Sequence, residues 1–230
     1  MAGIRRRSAT AYLRRLAAGL TLTTVVLAAA GCARGTGTTT TTPPTGPERS
    51  LATTGADLSR LLVQPPGYLE IPADKLSGPI DRVRVGQVFV DHAGDADEIR
   101  RNGFVAGYTQ TWKTPPPSSF DPAHPAIIDT STVTSIILRF DTAEHARTVL
   151  AYFRTANVAD GYSLFTVPGQ LTDGYGIRQG PDNAGITTFG VAWGHGTYLL
   201  DVMVMTTDPA VVEQQPVALA LAQDRALGSS

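Results

Sequence analysis

186-ITTFGVAWGHGTYLLDVMVM-205 is two strand-like runs parted by Gly194, His195 and Gly196. Ile186–Trp193 and Thr197–Met205 are rich in Val, Thr, Met and aromatic side chains, which suit a pleated, half-buried backbone. So tight a connection predicts an antiparallel hairpin. The second run is apolar almost throughout apart from Asp201, so both its faces are expected to be covered, with Leu200, Val202 and Val204 near the centre of a sheet. A carboxyl in such a strand needs a partner or water. His195 falls at the expected hairpin tip, where it would occupy a turn and bury almost nothing.

Outward from the hairpin, Asp208-Pro209 predicts the start of a final helix running to residue 226, and Pro216 within it predicts a kink or a late restart. Upstream, Thr132–Phe140 (TVTSIILRF) reads as a β-branched strand. Asp141 with Glu144 resembles a capping box for a helix over 142–156, whose apolar face carries Ala143, Ala146, Val149, Leu150 and Phe153. Further strands are expected at Arg82–Val90, Phe104–Lys113, Gly161–Val167 and Tyr175–Gln179, with a short extended piece at Gly67–Ile71. Short helices are expected at Ala56–Val63 and Asp95–Asn102, and a Pro-rich surface loop at Ser118–Thr130. Hairpins dominate over parallel crossovers, so the fold class is α+β: a mainly antiparallel β-sheet packed against two main helices. Each half ends in a long strand and an amphipathic helix, a weak two-fold repetition.

The N-terminus reads as an address. Arg5–Arg7 and Arg14–Arg15 precede the apolar run Leu16–Ala30, which at 15 residues is short for a spanning helix. It ends in Ala29-Ala30-Gly31-Cys32, small residues before the single cysteine of the chain. Residues 1–31 are therefore expected to be a signal peptide, and Cys32 the lipidated N-terminus of the mature protein. Residues 32–54 are a Thr/Pro-rich tether with little to bury, and 55–230 a single extracytoplasmic domain. Five of the 19 basic residues precede Cys32 and none of the 20 acidic ones does, so the remainder carries a net charge of −6. A negative domain repels phosphate backbones, which argues against nucleic acid as a partner.

Thr188–Leu227 (TFGVAWGHGTYLLDVMVMTTD…LALAQDRAL) resembles the C-terminal part of uncharacterised secreted actinobacterial lipoproteins. Gly103–Lys113 and Phe140–Phe153 are similar to the middle region of the same group. The resemblance implies an envelope protein without enzymatic activity, in some members with a Mog1/PsbP-like fold. It supplies no catalytic residue.

Motifs that carry chemistry are sparse. His92, His124, His145 and His195 are scattered without zinc spacing. Asp91-His92-Ala93-Gly94-Asp95-Ala96-Asp97-Glu98 is the densest polar cluster, but its order does not match a calcium loop, and acids before a short helix explain it as well. There is no GxSxG. Gly174, Gly176 and Gly180 lack the Walker lysine and the dinucleotide spacing, so they read as a loop between strands. Tyr108, Trp112, Phe189, Trp193 and Tyr198 either line an apolar ligand groove or are core. The reading is thus a monomeric, non-enzymatic envelope protein, held to the membrane through lipid on Cys32 and binding a partner protein or ligand, with neither cofactor nor metal. Two alternatives stay open: a carrier of an apolar or lipidic molecule, and an enzyme of an unrecognised class.

Overall fold

The computed structural model describes residues 55–70, 77–89, 94–114, 131–208 and 210–228. The expected leader and tether, Cys32, His92, His124, Pro209 and the Ser118–Thr130 loop lie outside the described residues.

The elements run α1 (Gly55–Leu58), a 3-10 turn (Ser59–Leu61), β1 (Leu69–Glu70), β2 (Gly78–Ile80), α2 (Val85–Val88), α3 (Asp95–Arg101), β3 (Phe104–Lys113), β4 (Thr132–Phe140), α4 (Ala143–Ala159), β5 (Ser163–Phe165), β6 (Thr172–Gln179), β7 (Thr187–His195), β8 (Tyr198–Thr206) and α5 (Gln214–Gly228). The strands form one eight-stranded sheet in the order β1-β3-β4-β8-β7-β6-β5, with β2 also paired to β3. Every pairing is antiparallel. The α+β architecture with two main helices is therefore as the sequence predicts.

Successive side chains of β8 point to opposite faces. Leu199 joins Leu138, Phe140, Ala192 and Tyr175 under α4, whose Ala146, Val149 and Leu150 are buried. Leu200, Val202 and Val204 join Val133, Ile137, Val191 and Trp193 under Ala220 and Leu227 of α5. The molecule is thus three layers, helix, sheet and helix. This arrangement rules out a spatial two-fold between the halves. A two-fold through the antiparallel β4–β8 pair, perpendicular to the sheet, would place both helices on one face.

Several boundaries differ from expectation for local reasons. The strand expected at Arg82–Val90 is a turn and the short helix α2. The Asp81 carboxylate accepts from the backbone N–H groups of Val83 (2.9 Å) and Arg84 (2.7 Å), which bends the chain into a helical turn. Val83 is then 75% exposed and Val85 fully buried, although their spacing suggests one strand face. At α4 the cap is Thr142, whose hydroxyl accepts from the His145 N–H at 3.1 Å; the helix continues to Ala159, past the expected end at Ala156. Asp141 instead meets the His145 ring (Oδ1···Nδ1 2.6 Å), a bond that holds its carboxyl below the usual range. The final helix starts late, at Gln214, which puts Pro216 in its first turn, where no N–H is missed. Asp208 turns the chain before it by accepting from Ala210 N–H (2.8 Å) rather than opening the helix. Gly174 and Gly176 are part of β6, not a loop. A Cβ on Gly176 would lie 2.1 Å from the Phe165 ring, so glycine permits the close β5–β6 contact.

The β7–β8 hairpin exists with a tighter turn than expected. Its register pairs His195 with Tyr198, leaving Gly196 and Thr197 as the two turn residues, and Gly196 takes the positive φ (+57°) that such turns demand. His195 is consequently the last residue of β7 and not the tip.

Candidate functional site

Asp201 lies on the central strand, on the face covered by α4. Register places it in a row across five strands: Thr109 of β3, Ile136 of β4, Asp201 of β8, Ala192 of β7 and Tyr175 of β6. The other four members are buried, whereas Asp201 is half-buried. The next row along the same face, Thr111, Thr134, Met203, Gly190 and Ile177, is half-buried at Thr134 and Met203. Solvent thus reaches the middle of this face at Thr134, Asp201 and Met203, between buried neighbours.

The chemistry of this carboxyl is unusual. No hydrogen bond or ion pair reaches it from the described residues. Burial alone raises its pKa to about 7, from 3.8. A group both desolvated and half-accessible fits the floor of a recess. Around it stand the Ile136 and Ala192 side chains, the Met203 thioether two residues along β8, and the Tyr175 ring. The Tyr175 hydroxyl accepts from Asn157 Nδ2 of α4 at 3.2 Å. Burial, and after it the nearby charge of Asp201, push this phenol up, while the Asn157 bond opposes the rise. Such a site offers one ionisable point beside the apolar Ile136, Ala192 and Met203 side chains, with the Thr134 hydroxyl in the next row.

On the opposite face, Asp224 of α5 accepts from Trp193 Nε1–H (3.0 Å) and meets His195 Nδ1 (2.9 Å) through the same Oδ1. Its neighbour Gln223, 2% exposed, accepts from Val63 N–H at 2.8 Å and donates to the Leu61 carbonyl. His195 is therefore half-buried and held, contrary to the expectation of a free turn side chain.

The five aromatic candidates share this α5 face but form no single groove. Trp112, Phe189 and Trp193 are buried, at 3%, 5% and 0% exposure. Tyr108 and Tyr198 pack half-buried against the same core as the two tryptophans. Phe189 alone of the five borders a surface groove of about 410 Å³, where Arg178 lies 3.5 Å from Glu213, beside Thr187, Asp208 and Val211. In the acidic stretch, Asp95 is buried at the start of α3, and Asp97 and Glu98 pair with Arg100 (3.0 Å) and Arg101 (2.8 Å). Among the described residues no three His, Cys, Asp or Glu side chains are grouped to hold a metal. Asp201 is visible in the sequence as the one charge in an apolar strand; the row that isolates it is not, because its members come from five strands.

A family model described as "Domain of unknown function (DUF7373) N-terminal" matches residues 75–227. No curated protein matches. Among solved structures, the extracellular domain of PknH from Mycobacterium tuberculosis is similar with a TM-score of 0.52 at 12% identity, covering 76% of this chain and 97% of that one. At that identity the likeness is one of fold.

Proposed function

The chain belongs to the DUF7373 family, and we propose that it is a lipid-anchored extracytoplasmic domain that binds a ligand at the Asp201 recess and catalyses no reaction. The recess is the observation that carries the reading: an unpartnered carboxyl in the middle of a sheet is costly to keep, and a ligand that completes it accounts for the cost. Placement outside the cell is supported by the Arg-rich leader ending at Cys32 and by a fold shared with an extracellular domain. Among the described residues no helix is long and apolar enough to cross a membrane.

Two experiments test this. For the site, a ligand-observed NMR screen of a mixed fragment set is run against the wild type and against Met203→Trp, which fills the opening beside Asp201. Fragments that bind the wild type and not the variant are expected. An empty screen, or hits indifferent to the tryptophan, overturns the site. For the anchor, Cys32→Ala is expected to shift the protein out of the lipid-modified membrane fraction, read by fractionation and by the mass of the mature N-terminus. A wild-type N-terminus without lipid removes the anchoring part.

A further inference from the structure

We propose that the Asp201 recess takes an organic cation, a ligand with a protonated amine on a slender apolar body, the ammonium meeting the Asp201 carboxylate and the body lying along Ile136, Ala192 and Met203. This rests on the reading of the recess as a binding site and adds the chemistry of what enters it.

The argument is one of complementarity. The strand backbones around Asp201 are engaged in the ladder from β3 to β6, so they offer the carboxylate no N–H groups. The nearest side chains in its row are Ile136 and Ala192, which donate nothing. Tyr175, one strand further, accepts from Asn157 and makes no hydrogen bond to the Asp201 carboxyl. A carboxylate so placed is paired best by a full positive charge, because the attraction of two opposite charges in a partly desolvated site exceeds what one neutral donor supplies. The Ile136, Ala192 and Met203 side chains then match an alkyl body, while the row holds no second carboxylate to complete a metal site. The net charge of −6 on residues 32–230 also draws cations toward the domain.

Linkage fixes the sign of the pH dependence. A cation binds the ionised carboxyl, so its affinity rises by about tenfold per pH unit below the Asp201 midpoint and levels above it. A ligand bound to the protonated carboxyl shows the reverse. The other titratable or charged groups around the site are Tyr175 from β6, and Arg154 of α4 and Asp95 of α3, whose fields reach Tyr175.

The test uses n-hexylamine, hexan-1-ol and hexanoate as probes, with the full domain labelled for NMR. The Asp201 carboxyl carbon is titrated between pH 5 and 9, and amide shifts of residues 190–192 and 201–203 locate binding. Hexylamine is expected to lower the Asp201 midpoint, to bind at least about tenfold more tightly than hexanol at pH 8, and to lose that advantage in Asp201→Asn, a difference of about 1.4 kcal/mol. Hexanol binding as tightly as the amine at these residues, or hexanoate binding better at low pH, overturns the cation while leaving the recess a binding site. Absence of binding by all three overturns both. An amine preference unchanged in Asp201→Asn also overturns the assignment, since the charge it senses then lies elsewhere.

Discussion

Below about pH 4 the Asp201 carboxyl holds its proton in the folded and the unfolded chain alike, and ionisation does not touch stability. Between about pH 4 and 7 the unfolded chain releases that proton while the folded one, with its midpoint raised to about 7, keeps it, so stability falls across this window and is flat above it. The loss is on the order of 2–4 kcal/mol. Asp201→Asn keeps the shape and removes the charge, so the variant is expected to lose this slope and to be the more stable protein at pH 8. Urea melts of both proteins at pH 5 and pH 8 measure it, and an unchanged slope contradicts the burial of the carboxyl. Asp224 has the opposite character. Removing it strands the indole N–H of the fully buried Trp193, so Asp224→Ala is expected to cost about 1–3 kcal/mol. His195→Ala should cost less, since its ring is half-exposed and water replaces the lost bond. The same melts rank the two. That Asp201 needs a partner is legible in the sequence. That none of its neighbours supplies one depends on register, which periodicity alone does not reveal.

Long elements followed their sequence patterns because their own composition and packing agree. β3 and β4 run over Phe104–Lys113 and Thr132–Phe140, the bounds their β-branched and aromatic content predicts. Two local details did not, because a single side chain decides each. Asp81 converts an alternating stretch into a helical turn, and Thr142 takes the cap expected of Asp141. The docking of α5 shows a third case, where the decisive contact is far away in sequence. Gln223 looks like a helical surface residue, yet it is buried and bridges to Leu61 and Val63. Gln223→Ala leaves two backbone groups short of a partner and is expected to cost on the order of 2–4 kcal/mol. Hydrogen exchange should then quicken at Val63 and along α5 but not along α4; equal quickening of both helices would contradict a local latch. Leu200→Ala and Val202→Ala, both under α5, should cost about 1–4 kcal/mol by opening cavities.

At the scale of the molecule, Gly55 is the first described residue, and it sits against β2 and β3, where a Cβ would lie 2.9 Å from both Pro79 and the Gly107 carbonyl. A protein starting at Gly55 is accordingly expected to fold alone and to melt within a few degrees of the protein that keeps residues 32–54. Circular dichroism melts decide this, and an unfolded product would mean that the preceding segment is part of the core. The arrangement of the sheet has one more implication. β8 is the last strand to be made, but it lies between β4 and β7, and Thr132 pairs with Met205 across the whole intervening stretch of chain. Until β8 arrives, the strands up to and including β4 and those after α4 are two unfinished sheets, with β4 and β7 as their open edges. The nascent chain therefore waits for β8: it travels open, and it closes only when the strand that joins the two halves slots between them.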